Sequence, residues 1–210
     1  MKSTTKTIKR LFDLTIAVLA LVACGPLLAL ISMAIIVTDG FPSLFRSRRA
    51  GLGGRPFTAL KFRTMTNKQG ADGALLPDSD RITRLGRFLR RTSMDELPQL
   101  INVVKGDMSI VGPRPLPVEY LNRYTREQNR RHEVKPGLTG WTQINYAREE
   151  KPWEKKFEQD LWYVQHWSLG LDTKIVFRTL GALWIRYKSR PEGFTTSQEL
   201  RQLPKKGTGS

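Results

Sequence analysis

From Leu14 to Val37 the chain runs for 24 residues without a charged side chain. As a straight helix such a run is about 36 Å long, against a bilayer hydrocarbon core of about 30 Å. Gly25-Pro26 stands near its middle. A proline there removes one helix hydrogen bond and crowds the preceding turn, so a kink or break is expected. Both flanks are basic, with Lys2, Lys6, Lys9 and Arg10 before the run and Arg46, Arg48, Arg49 and Arg55 after it. Positive segments favour the cytoplasmic side, and a single span would leave one group on the wrong side. A re-entrant hairpin turning at Gly25-Pro26 keeps both groups inside and is the preferred reading. A span is the alternative. A third reading takes Leu21-Val22-Ala23-Cys24-Gly25 as a lipoprotein cleavage site. Asp13 interrupts that signal core, and Pro26–Val37 stays apolar where a lipoprotein tether is polar. Cys24 is therefore read as a small packing residue.

Charge narrows the function. The 210 residues carry 35 Lys+Arg against 19 Asp+Glu, a net charge of +16. Such a chain suits anionic partners: nucleic acid, phospholipid head groups or phosphorylated substrates. One Cys and two His exclude a disulfide framework and a Cys/His zinc cluster. A nucleophile-histidine mechanism would have to use His132 or His166.

Residues 50–150 read as the globular part. Arg49–Arg55 is glycine-rich and basic but lacks the Lys-Ser/Thr ending of a phosphate loop, so it reads as a turn before a strand. Phe57–Met65 reads as that strand, with Leu60, Phe62 and Thr64 on one face and Lys61 and Arg63 on the other. Asn67–Ser79 is rich in turn residues. Thr83 can cap a short helix through Arg91.

The densest stretch is Ser93-Met94-Asp95-Glu96-Leu97-Pro98-Gln99-Leu100 and its continuation to Met108. Ser93 with Glu96 has the spacing of a capping box, and Gly106 is placed to stop the helix. In that frame Asp95 lies in a first helical turn, where the dipole keeps a carboxylate ionised, as a nucleophile requires. Neighbouring helical residues point about 100° apart, so Asp95 and Glu96 should have different roles. Two carboxylates among many cations can also hold Mg²⁺. Arg114 stands between Pro113 and Pro115, a stiff setting for a guanidinium that grips phosphate oxygens. Two helices are expected beyond residue 150, Trp153–His166 and Asp172–Lys188. The second is basic, aromatic and suited either to the core or to a membrane interface.

Four segments carry a family resemblance: Leu60-Lys61-Phe62-Arg63-Thr64-Met65, Ser93–Leu100, Lys105–Pro115 and Lys135-Pro136-Gly137-Leu138-Thr139-Gly140-Trp141. From about Ile8 to Phe194 the chain resembles the bacterial sugar transferases, or monotopic phosphoglycosyl transferases, and among them the small members with little beyond the catalytic domain. The resemblance implies an α+β fold. A re-entrant anchor with its basic flank would occupy 1–49, and a small mixed catalytic domain with few short strands and interfacial helices 50–194. A polar tail would occupy 195–210. It implies transfer of a sugar 1-phosphate from a UDP-sugar to polyprenyl phosphate with release of UMP. Asp95 would be the nucleophile that carries a covalent phosphosugar, Glu96 its acid/base partner, and Mg²⁺ would bind beside Asp95. Lys61, Arg90, Arg114 and Arg148 would contact substrate. Tyr146 stands where the family has Gly, which weakens the carry-over for Arg148. The enzyme would sit on the cytoplasmic face of the bacterial inner membrane among its phospholipids, without a nucleic-acid partner. A homo-oligomer is one outcome that the sequence leaves open. The rival class, a tethered binder of nucleic acid or anionic polymer, would tolerate Asp95→Asn.

Overall fold

A computed structural model describes residues 3–145 and 152–189; for Ser3 and 182–189 only the backbone is described. Helix α1, Ser3–Asp39, runs through Gly25 and Pro26 without interruption. The tight turn expected at Gly25-Pro26 is therefore not formed. Pro26 removes one hydrogen bond from the helix, and packing on both sides of it compensates. Ala17, Ile31 and Ile35 are buried on one face, while Leu19, Val22, Leu30, Met33 and Val37 are exposed on the other. The helix is long and apolar enough to cross a membrane by length and composition. Yet both its ends are tied to one globular body. Arg10 donates to the Val103 and Val104 carbonyls at 2.5 and 2.7 Å. Arg63 donates to the carbonyls of Asp39, Gly40 and Phe41 at the far end.

The globular part is α+β with short strands. Strand β1, Leu44–Ala50, pairs antiparallel with β2, Pro56–Phe62, in the register Phe45↔Lys61 and Arg49↔Phe57. A 3-10 turn, Leu52–Gly54, joins them, with Gly53 and Gly54 at φ 62 and 75°, the region glycine enters without steric cost. β1 is not evident from apolar alternation, because three of its seven residues are arginine. It also crosses the expected boundary at residue 49.

A one-turn helix α2, Asp78–Arg81, leads to α3, Arg84–Thr92. The Thr83 hydroxyl caps α3, accepting from the Gly86 amide at 2.9 Å as expected. A Cβ at Gly86 would lie 2.1 Å from the Thr64 carbonyl oxygen, so glycine lets α3 press against the end of β2. Helix α4, Gln99–Lys105, stops at Gly106, φ 94°. Strands β3, Ser109–Val111, and β4, Gly137–Thr139, form a parallel pair. Gly112 lies beside them, where a Cβ would sit 2.3 Å from the Lys135 carbonyl. Helices α5, Trp141–Asn145, α6, Trp153–His166, and α7, Leu169–Ser189, complete the fold. α6 has the expected bounds, but α7 starts three residues earlier than expected. Ile175 on α7 is fully buried, whereas Phe177 and Leu180 are exposed.

The main core joins Ala17 of α1 to Leu100, Val103, Met108, Val111 and Ile175. Inside it lies an ionic cluster. Lys9 Nζ is 3.1 Å from Asp13 Oδ1 and 2.7 Å from Asp172 Oδ2. Asp13 also accepts from Ser109 Oγ and the Ile110 amide, both at 3.0 Å. Asp172 accepts from the Tyr163 hydroxyl at 2.7 Å and Trp167 Nε1 at 3.0 Å. α1, β3, α6 and α7 thus meet at one cation between two buried carboxylates.

Removing that cation leaves two buried anions unbalanced. Lys9→Met should cost about 3–5 kcal/mol, read as a lowered melting temperature in detergent. Lys6→Met, one turn earlier and exposed, should leave the melting temperature unchanged.

Candidate active site

Strand β2 and the turn after α3 build one wall of a cavity of about 560 Å³. Ser93 ends α3 in the left-handed conformation, φ 59°, the one non-glycine at positive φ among the described residues. Such a residue costs of order 1 kcal/mol or more. Here it reverses the chain so that Asp95 and Glu96 face the cavity. The capping box is not formed. Met94–Glu96 is a single 3-10 turn without a side-chain cap, and α4 starts only after Pro98. Pro98 at that start gives up no helix hydrogen bond, and Asp95 lies outside the α-helix whose dipole was expected to hold it ionised.

Glu96 is instead held by cations. Lys61 Nζ, from β2, donates to Oε1 at 2.7 Å, and Arg114 Nη2 donates to the same oxygen at 2.8 Å. Burial pushes the Glu96 pKa up, but the charges and hydrogen bonds of Arg114 and Lys61 outweigh it and hold the group well below the usual carboxylate range. Glu96 therefore carries no proton at neutral pH, and the acid half of its expected role lacks a donor. Asp95 differs. Its carboxylate makes no hydrogen bond or ion pair among the described residues. Burial first, and the Glu96 charge second, raise its pKa to about 6 against the pull of Lys61, Arg90 and Arg114. It is the more basic of the two and opens onto the cavity.

Arg90 reaches the same cavity from the last turn of α3, its Nε donating to Thr64 Oγ1 at 2.8 Å. Arg114 is fixed twice. Its side chain grips Glu96, and its carbonyl accepts from Arg131 Nη2 at 2.8 Å. Arg131 is itself buried and paired with Asp160 of α6 at 2.6 Å, and Asp160 accepts from Thr142 Oγ1 at 2.6 Å. The structure thus brings together Lys61, Arg90, Asp95, Glu96 and Arg114; Arg148 lies outside the described residues. Neither histidine lines the cavity. His132 is held near a pKa of about 4 by burial and by Arg131, and the exposed His166 Nδ1 contacts the Trp162 carbonyl.

Sequence reading missed Arg49, which lines the cavity from β1. Burial and then Arg114 lower its pKa, while Glu96 and Glu119 oppose the shift. Its signal was present, since Phe45, Ser47 and Arg49 share a face once β1 is recognised as a strand. For a metal, the described residues offer no group of three or more His, Cys, Asp or Glu side chains. One unpartnered carboxylate, Asp95, is nonetheless sufficient for Mg²⁺, which is commonly held by one or two carboxylates with substrate phosphates and water.

Comparison with known proteins gives the family. Residues 4–186 match the family model described as bacterial sugar transferase. The chain is 54% identical over 174 residues to the uncharacterized sugar transferase EpsL of Bacillus subtilis (strain 168), covering 82% of this chain and 85% of that protein. It is 43% identical over 185 residues to the UDP-glucose:undecaprenyl-phosphate glucose-1-phosphate transferase of Escherichia coli (strain K12), covering 83% of this chain and 40% of that one. It is 37% identical over 190 residues to the UDP-N-acetylgalactosamine-undecaprenyl-phosphate N-acetylgalactosaminephosphotransferase of Aeromonas hydrophila, covering 87% and 45%. The chain thus spans less than half the length of these last two relatives.

The charge pattern predicts one aspartate carboxyl with a midpoint of about 6. Carbon-13 NMR of carboxyl-labelled aspartate, assigned by its loss in Asp95→Asn, measures it. Glu96→Gln should move the midpoint down, because it removes a like charge and releases Lys61 and Arg114 toward Asp95. A midpoint near 4, the ordinary aspartate value, would contradict the assignment.

Proposed function

The chain belongs to the bacterial sugar transferase family, and on that premise we propose that it transfers a sugar 1-phosphate from a UDP-sugar to undecaprenyl phosphate. The observation that carries the mechanism is the unequal treatment of two adjacent carboxylates. Asp95 is unpartnered and basic, whereas Glu96 is tied to Lys61 and Arg114.

An Asp95 oxygen attacks the sugar-bearing phosphorus, a P–Oδ bond forms, and the bond to the leaving UMP breaks. The product is an aspartyl phosphosugar. A phosphate oxygen of the lipid then attacks the same phosphorus, the P–Oδ bond breaks, and Asp95 is regenerated. UMP leaves as an anion, so an acid at Glu96 is not required. Glu96 stays ionised and aims Lys61 and Arg114 into the cavity. Arg90, Lys61 and Arg114 compensate the negative charge of the transferring group, the main demand of phosphoryl transfer. Mg²⁺ held by Asp95 and the diphosphate would supply further charge neutralisation. Arg148 is proposed as a nucleotide contact on the resemblance alone.

The same reading places the protein on one face of the membrane. With Arg10 and the Asp39 carbonyl both bonded to a single globular body, α1 is best read as lying against that body with its exposed apolar stripe in lipid. Basic flanks on both sides support the cytoplasmic face of the bacterial inner membrane, and the exposed Phe177 and Leu180 of α7 support an interfacial placement of that helix.

Incubation with UDP-sugar and without lipid phosphate should add one phosphosugar mass to the peptide containing Asp95, with UMP released in equal amount. Screening a panel of UDP-sugars identifies the substrate. Asp95→Asn should abolish the adduct, and its formation should fall as pH drops through about 6, where Asp95 takes up a proton. An adduct on any other residue would overturn the assignment. Arg114→Lys keeps the charge but loses the guanidinium fork. Turnover should fall at least about tenfold, roughly 1.4 kcal/mol of transition-state stabilisation.

A further inference from the structure

We propose that the cavity face of β1 is the docking track for the acceptor lipid: Arg49 takes the phosphate of a polyprenyl phosphate, and Phe45 takes the first isoprene units of its chain. The inference rests on the transfer reaction proposed above and adds the residue that distinguishes its second substrate.

Three observations carry it. Strand alternation puts Phe45, Ser47 and Arg49 on one face of β1, and both Phe45 and Arg49 line the cavity that holds Asp95. At about 3.3 Å per residue, Phe45 and Arg49 stand about 13 Å apart along the strand. That spacing suits a ligand with an apolar chain and an anionic head.

The second observation is continuity with the membrane helix. β1 starts at Leu44, shortly after α1 ends at Asp39. The exposed stripe of α1 ends at Val37, 79% exposed, and is followed by Phe41, 79%, and Phe45, 53%. Apolar surface therefore leads from the lipid-facing side of α1 to the mouth of the cavity. A nucleotide diphosphate has no use for such a path, whereas an isoprenoid chain does.

The third is the division of cations. Lys61 and Arg114 are bound to Glu96, whereas the Arg49 guanidinium makes no hydrogen bond or ion pair among the described residues. Asp95 feels the charges of Glu96, Lys61, Arg90 and Arg114, while Arg49 feels those of Arg114, Glu96 and Glu119. Arg90 reaches the cavity from α3, bonded to Thr64, and Arg49 reaches it from β1. Arg90 attends the phosphorus that Asp95 attacks, and Arg49 is left for a second phosphate. Arg49 forms no bond of its own. It holds the acceptor phosphate while that phosphate's oxygen bonds to the sugar-bearing phosphorus and the Asp95 P–Oδ bond breaks.

The test is binding by the full chain in detergent, followed by native mass spectrometry without UDP-sugar, using undecaprenyl phosphate, undecaprenol, inorganic phosphate and UDP. Arg49→Gln should weaken undecaprenyl phosphate at least tenfold, leave undecaprenol as in the wild type, and keep UDP within twofold. Arg49→Lys, which preserves the charge and the strand, should recover most of the loss. Phe45→Ser should weaken undecaprenyl phosphate at least threefold without altering inorganic phosphate. Unchanged lipid-phosphate binding in Arg49→Gln, an equal loss of UDP, or wild-type affinity for inorganic phosphate matching that for the lipid would overturn the track. A wild-type chain that binds the lipid through Arg49 but forms no adduct would overturn the reaction and leave this site standing.

Discussion

One largely covered cation, 13% exposed, ties helix α1 to the rest of the fold. Lys9 lies between Asp13, on its own helix, and Asp172 on α7. Through the other bonds of those carboxylates it reaches β3, Tyr163 and Trp167. A charge taken out of water is costly unless its partners are complete, so this cluster tolerates only one docking of α1. Around it the helix contributes Ala17 to the main core and, about one and a half to two and a half turns past Pro26, Ile31 and Ile35 to a second core with Phe62 and Leu89. The helix whose apolar stripe is exposed on one side is therefore a structural wall of the globular domain on the other.

The same economy governs the cavity. Two carboxylates next to each other in sequence are separated in chemistry by which one the cations touch. Lys61 comes from β2 and Arg114 from the loop after β3, and both converge on Glu96. Asp95, brought to the cavity with Glu96 by the turn at the left-handed Ser93, makes no such bond and meets whatever enters. Precision here depends on distant residues. The carbonyl of Arg114 is held by Arg131, whose charge is balanced by Asp160 on α6, which also binds Thr142 at the start of α5.

Much of this was legible in the sequence where the determinants are local. Thr83 and Gly106 mark helix ends with their own side chain or backbone freedom, and the bounds of α6 follow its pattern. Lys61, Arg90, Asp95, Glu96 and Arg114 were named from motifs and do meet. What escaped depends on partners far along the chain. β1 is arginine-rich, and only its pairing with β2 makes Arg49 a cavity residue. Asp13 reads as a flaw in an apolar run until Ser109 and Ile110, 96 and 97 residues later, supply its donors. Helix continuity through Pro26 follows from the cores on both sides of it. The surroundings of Asp95 were not legible either: the capping-box spacing implied an α-helical dipole that a 3-10 turn does not provide, and its pKa is set instead by burial, Glu96 and the cations around it.

The shared wall bears on how such an enzyme can leave the membrane. A soluble version is ordinarily sought by cutting away the apolar segment and keeping the rest. Here that cut would strip Ala17, Ile31 and Ile35 from two cores at about 1.5–3 kcal/mol for each large side chain, and would leave Asp172 without its cation. The sum is comparable to the whole margin of about 5–15 kcal/mol by which a domain stays folded. Solubility would have to come from repainting the outward stripe of α1, Leu19, Val22, Leu30, Met33 and Val37, with polar residues while its inner face is left intact. For this chain, apolar exposure and foldedness are written on opposite sides of one helix.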